Sequence, residues 1–404
     1  MKKLLFCTFL NLIFFSSIAQ VWSPKQSIPG GGSKVRMASI SFSNSQGSAF
    51  VLGGLYGNTV INDFWQYNAV DDSWTQKPNF PGGSKYAHIS FVVDSIAYVG
   101  TGSNQFGNLS TQFWAYNMNT KVWSTIANFP GEGRVYASAM TINSKGYIGG
   151  GVKFVGGNVI YLKDFWEYDP ALDTWTQKSD YLGGVRAGTI AFGEAGKGYM
   201  GYGESSGFFH WDFHEYDPSN DSWTLLTGFP STSMSFVSVV TLGNKAYILG
   251  GEFQDHVYTD KVWEYTASTN EWKPLTSFPG TPRRNAISFA LGGEVYYGTG
   301  QTGGTETNVT DDLWVLGDLF TSVSDPLFNA RVKVFPNPFQ NNLMIDSSED
   351  IKTLKIYSIL GTVVYSSVNF KNQEIDLSFL NRGMYLLKIE TYSGQIIEEK
   401  VTKL

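Results

Sequence analysis

Along most of this chain, short runs of alternating apolar and polar residues are interrupted by glycine, proline, asparagine or aspartate. Val135 to Ile142 alternates, Gly146 to Gly151 is a short apolar run ending in glycines, Asp164 to Tyr168 alternates again, and Thr174 to Gln177 follows. A period of two over four to eight residues predicts strands. The intervening Asn143-Ser144-Lys145, the glycine-rich segment and Asp169-Pro170-Ala171-Leu172 predict turns. In the strand beginning at Asp164, Trp166 and Tyr168 share one face, so these rings are expected to pack between neighbouring sheets.

This four-strand unit repeats. The stretch Asp164 to Trp175 has counterparts at Asp63 to Trp74, Gln112 to Trp123, Asp212 to Trp223 and Lys261 to Trp272. A sixth copy starts at Asp312-Leu313-Trp314 and lacks its second tryptophan, which Trp22 can supply from the other end of the chain. Measured between second tryptophans, the spacings from Trp22 onward are 52, 49, 52, 48 and 49 residues. Fixed periods near fifty indicate repeated supersecondary units. Six four-stranded units with one strand borrowed from the N-terminus predict an all-β ring whose closure removes exposed strand edges. Eleven of the twelve tryptophans occupy repeat positions; Trp211 stands outside them, and His214 takes the tryptophan's place in that copy.

The glycine doublets Gly53-Gly54, Gly149-Gly150 and Gly250-Gly251, followed by a spaced tyrosine and tryptophan such as Tyr168 and Trp175, resemble the kelch repeat. The resemblance implies a six-bladed kelch-type β-propeller over residues 20–320. Gly100-Thr101-Gly102, Gly201-Tyr202-Gly203 and Gly298-Thr299-Gly300 depart from the doublet, and Leu316 stands where tyrosine is expected.

The two ends read differently. Lys2-Lys3, the apolar Leu4 to Phe15 and the small-x-small Ser17-Ile18-Ala19 read as a secretory signal peptide over residues 1–19. Residues 321–330 read as a linker. Residues 331–404 hold several alternating runs in a short span, which predicts a small antiparallel β-sandwich. Pro336-Asn337-Pro338, Leu354 to Gly361, Gly383 to Ile389, and the basic Lys400 and Lys403 resemble the type A C-terminal sorting domain of the type IX secretion system. That resemblance implies contact with the type IX machinery through residues 331–404 and a mature protein outside the cell or on the outer-membrane surface.

Composition narrows the chemistry. The net charge of −6 offers no electrostatic footprint for nucleic acid, and no apolar run is long enough to be read as a transmembrane segment. The only cysteine, Cys7, lies in the leader. The mature chain therefore has no disulfide or thiolate ligand, and the copper-radical sugar oxidases, which carry a cysteine cross-linked to tyrosine, are excluded. A monomer without metal or cofactor is expected.

In a four-stranded blade, the start of the first strand and the end of the second lie on the same face of the ring. Arg36, Arg134, Arg186, Arg283 and Arg284 precede first strands, and are the candidate ligand-binding residues of one mouth, suited to carboxylates or sugar hydroxyls. Glu204 and Glu252 follow the second strands of adjacent units and are the candidate catalytic carboxylates. Tyr56, Phe106, Phe154, Phe208, Phe209 and Phe253 lie in the same loops and can stack on sugar rings. His210, Asp212 and His214 would share a strand face, a weak metal-ligand pattern that gives way to packing, since His214 replaces a tryptophan. The leading expectation is a secreted binding module for a glycan or a surface protein. The alternatives are a metal-independent enzyme resembling the kelch-type sialic acid mutarotases and a protein–protein adhesion scaffold.

Overall fold

A computed structural model of the protein describes residues 21–29, 36–44, 47–228, 233–305, 307–317, 332–347, 350–358, 362–371, 373–392 and 396–404. The expected leader (1–19) and linker (321–330) lie outside the described residues.

Six four-stranded antiparallel sheets follow one another as blades. Blade 3 is typical, with Ser138–Ile142 innermost, then Lys145–Gly149, Phe165–Asp169 and Thr174–Lys178 outermost. Its first hairpin turns at Asn143 and Ser144, both at positive φ, the backbone a two-residue hairpin of matching twist requires. Blade 6 combines Ile287–Leu291, Glu294–Gly298 and Leu313–Gly317 with Val21–Lys25, and Trp22 lies opposite Leu316. The N-terminal strand thus completes the last sheet, as the repeat count required.

Closure is visible as a ring of peptide hydrogen bonds. The N–H groups of Ala38, Ala87, Tyr136, Gly188, Phe236 and Asn285 each donate to the carbonyl of the equivalent residue in the preceding blade, at 2.9–3.2 Å, and Ala38 closes the circle onto Asn285. All six residues hold φ between 49° and 62°. This left-handed conformation is unfavourable outside glycine and is held here by the surrounding bonds. Farther along the inner strands, hydroxyls join the blades. Ser41, Ser43, Thr141 and Ser238 donate to the carbonyls of Ser288, Ala290, Val92 and Ala286.

The outer strands carry a second junction, which explains the repeated Asp and Trp. Trp175 Nε1 donates to the Ala127 carbonyl (3.0 Å), and Ala127 N–H donates to Asp173 (2.8 Å). Trp74 and Asp72 grip Gln26 in the same way, and Trp223 and Asp221 grip Ser179. One residue of each preceding blade thus has both backbone groups held by the next blade. The rings pack across the same boundaries. Tyr168 sits 5.3 Å from Tyr98 of blade 2, and Phe165 lies 4.9 Å from both Tyr216 and Trp223 of blade 4.

The C-terminal region is a β-sandwich. A three-stranded sheet (Val332–Phe335, Asn342–Ser347, Gln373–Asp376) faces a four-stranded one (Ile351–Ser358, Val363–Phe370, Gly383–Thr391, Ile396–Lys403). Leu343 and Ile345 of the first share a core with Leu354, Ile356, Leu387 and Ile389 of the second. The Asn337 side chain bonds the Lys400 carbonyl and the Thr402 N–H, tying the start of the domain to its last strand. Lys403 is buried, and its ammonium donates to the carbonyls of Leu377 and Ser378.

Candidate functional site

The five arginines separate into two kinds. Arg36, Arg134, Arg186 and Arg283 do not face the opening as the sequence suggested; all four are fully buried inside their own blades. Each makes a two-pronged contact with the aspartate that begins its blade's third strand segment. Arg36 meets Asp63 at 2.6 and 2.9 Å, Arg134 meets Asp164 at 2.7 Å twice, and Arg186 meets Asp212 at 2.6 and 3.1 Å. Arg283 pairs with Asp312 in the same manner. Each guanidinium also donates to a carbonyl in the turn after the second strand, that of Gly53, Gly150, Tyr202 or Thr299. Trp65, Trp166 and Trp314 donate their indole N–H to the same aspartates. Burial would raise the Asp164 carboxyl, but its bonds to Arg134 and Trp166 outweigh this and hold it below the usual carboxylate range.

The sequence does contain a signal for this arrangement. The two blades without the arginine, with Lys85 and Met234 in its place, also lack the aspartate and carry Gln112 and Lys261. Neither blade keeps half of the pair: the arginine and the aspartate are replaced together, so no buried carboxylate is left without its guanidinium.

One position after each arginine, the side chains do turn to the mouth. Bridges pair Met37 with Leu55, Val135 with Val152, Ala187 with Glu204, and Arg284 with Gln301, and Ser235 pairs with Glu252 in the same place. On the side of blades 1 to 4 the opening is filled by aliphatic groups. Met37, Leu55, Val135, Val152 and Ala187 are buried in one cluster with Leu109, Tyr161 and Val309 packed against it. Ala38 and Ala87 belong to both the cluster and the peptide ring, so the cluster packs directly against the ring.

The polar part of the mouth belongs to blades 4, 5 and 6. Arg284, the member of the predicted arginine set that reaches it, donates Nη1 to Glu252 and Nε to Gln301, both at 2.8 Å. Its guanidinium lies 5.4 Å from the ring centroids of Phe236 and Tyr258. Glu252 is buried against it and also approaches Ser235 and His256. In the adjacent blade, Glu204 is half-buried and accepts the Tyr161 hydroxyl at 2.9 and 3.0 Å and the Gly207 N–H at 3.3 Å. Burial and this carboxylate together raise the Tyr161 phenol above its ordinary range. Glu204 and Glu252 therefore occupy equivalent mouth positions, one beside a phenol and the other in an ion pair.

Beside Glu204 the hairpin Glu204–Ser205/Phe208–Phe209 presents an aromatic group. Phe208 is 51% and Trp211 64% exposed; their rings are 5.9 Å apart, and Phe208 lies 5.0 Å from His210. His210 is fixed by Ser205 at 2.7 Å. The remaining loop aromatics divide: Phe106 and Phe154 are exposed, Tyr56 and Phe253 are half-buried, and Phe209 is buried. Trp211 was legible as the tryptophan outside the repeat; Tyr161, Tyr258 and Ser235 carried no sequence signal. His210 and His214 do not converge. His214 is buried, bonded to Tyr181 at 3.0 Å, while Asp212 is held by Arg186. Among the described residues, no group of three or more His, Cys, Asp or Glu side chains is placed to hold a metal ion, and no helix is long and apolar enough to cross a membrane.

Comparison with known proteins agrees with this architecture. The family described as "Secretion system C-terminal sorting domain" matches residues 333–403, and "Kelch motif" matches residues 233–279. No curated protein matches the chain by sequence. Among solved structures, the one described as "Structure of YjhT" superposes with a TM-score of 0.58 at 17% identity, covering 71% of this chain and 95% of its own. At that identity the likeness concerns the fold.

Proposed function

We propose that this chain, a kelch-repeat β-propeller carrying a type IX secretion C-terminal sorting domain and exported to the cell surface or the extracellular space, is a carbohydrate-binding protein working at the blade 4 side of the mouth. The observation that carries this reading is the exposed Phe208–Trp211 pair, beside the fixed polar groups of Glu204 and Tyr161. An apolar ring face flanked by a carboxylate acceptor and a phenol matches the two faces of a sugar, its C–H surface and its equatorial hydroxyls. These rings are exposed on the loops, so the ligand lies on the rim. The test is a glycan array, including sialylated sugars, probed with the purified chain and with Trp211→Ala. Hits lost in the variant support the reading. A blank array from folded protein overturns it and moves the weight to protein–protein adhesion through the loops.

A second reading has its own observation. The Tyr161 hydroxyl bonded to Glu204 is a proton-bearing pair at the mouth, which would suit metal-independent sugar chemistry such as anomerisation. It requires that Glu204→Gln abolish a measured anomerisation rate while leaving sugar binding intact. An unchanged rate refutes it.

A further inference from the structure

Exposed aromatic residues also occur in the corresponding loops of two preceding blades. Phe106 follows the second strand of blade 2 and is 77% exposed. Phe154 lies in the Val152–Val155/Asn158–Tyr161 hairpin of blade 3, where Ile160 is exposed as well. Phe208 and Trp211 occupy the same loop of blade 4. Three consecutive blades thus carry an exposed aromatic on the same face of the ring. Isolated exposed aromatics are ordinary on protein surfaces; their repetition at one loop position in adjacent blades is what calls for an occupant.

Three further features define that occupant. Packed sheets stand about 10 Å apart, so aromatics on neighbouring blades are separated by more than one sugar ring. The exposed rings stand outside the buried aliphatic cluster that packs against the peptide ring, so the surface they offer is the loop rim and not the axis. The charge here also argues against an anionic chain. Lys153 is paired with Glu132 at 3.0 Å, Glu204 contributes a carboxylate, and Arg284 lies in blade 6, bonded to Glu252. Recognition of carboxylates or sulfates along a chain requires cations able to reach them.

Resting on the carbohydrate reading above, we propose that the ligand is an extended, uncharged polysaccharide chain lying across the loops of blades 2, 3 and 4, with Phe106, Phe154 and the Phe208–Trp211 pair as successive stacking platforms. Weak contacts linked along one chain act together, because each bound ring raises the effective concentration of the next. Affinity therefore depends on chain length.

The experiment measures calorimetric affinities of the purified full chain for ladders of one to eight sugars from cellulose, chitin, xylan and mannan. Polygalacturonate serves as the anionic comparison. The expected result is affinity for at least one uncharged ladder that rises by about tenfold or more between short and long members, with weaker binding of polygalacturonate. Phe154→Ala and Trp211→Ala should each remove much of the gain from length while leaving the melting temperature unchanged, since both side chains are exposed. A monosaccharide bound as tightly as the long chain, or a length dependence untouched by Phe154→Ala, overturns the extended track and leaves sugar recognition standing. Tighter binding of polygalacturonate overturns the uncharged assignment. No binding to any member overturns both this proposal and the reading beneath it.

Discussion

The Arg134–Asp164 pair offers the sharpest test of how the blades hold together. The Arg134 side chain is completely buried, and Asp164 is 21% exposed. Asp164→Ala leaves a guanidinium out of water with only the Gly150 and Glu132 carbonyls and the Phe129 ring, 4.9 Å away, to receive it. Removing one partner of a buried ion pair costs about 3–5 kcal/mol. At about 2 °C per kcal/mol for a domain of this size, the melting temperature should fall by about 6–10 °C. Arg134→Met should cost less, because the orphaned carboxylate can reach solvent. The chain itself supplies the compensating change, since blade 5 carries Met234 and Lys261 at these two positions. Grafting that combination as Arg134→Met with Asp164→Lys should recover all but about 1 kcal/mol, the residue being the acceptor lost to Trp166 Nε1. Thermal and urea unfolding followed by tryptophan fluorescence reads all four proteins. A loss below about 1 kcal/mol for Asp164→Ala, or a double variant no better than Asp164→Ala, would refute the reasoning.

Further expectations follow from the same geometry. His88 is buried with both ring nitrogens unpartnered by protein, and burial, reinforced by Lys85, pushes it down to about 3. The unfolded chain takes up this proton near pH 6.5 and the native chain does not. Stability should therefore decline by up to about 1.4 kcal/mol per pH unit as pH falls from 6.5 towards 3. His88→Val, the residue at the blade 5 equivalent Val237, should flatten that slope in acid titrations of the urea midpoint; an unaltered slope refutes the assignment. Gly151 has φ +94°, and a Cβ there would sit 2.8 Å from the Val135 carbonyl, whereas Gly157 at φ +83° has open space. Gly151→Ala should thus lower the melting temperature clearly more than Gly157→Ala, and equal losses would count against the close-approach argument. Trp22→Ala removes, from the closing strand, the ring packed 5.1 Å from Phe278 and the bond it makes to the Thr276 carbonyl of blade 5. It should cost about 3–5 kcal/mol in unfolding experiments, and a loss near that of a surface substitution would mean the strand does not close blade 6.

The sequence by itself determined the blades. Period-two alternation, a spacing near fifty and a missing last tryptophan specify six sheets and a borrowed strand, because each of these is a local or additive property of the chain. It also determined the tail, whose motifs run through the whole C-terminal sandwich. What only the tertiary structure decided was direction. Arg283 and Arg284 are adjacent and alike in sequence, yet one lies inside its blade against Asp312 and the other reaches the mouth against Glu252 and Gln301. In an extended segment, neighbouring side chains point to opposite sides, and which side is interior depends on the partners that the rest of the ring brings there. The same holds for Phe208 and Phe209, one exposed and one buried. The peptide ring around the axis was equally beyond reach of the sequence. It arises from six left-handed residues, only one of them a glycine, whose peptides bond from blade to blade and form a full circle only when the first blade meets the last, through Ala38 and Asn285.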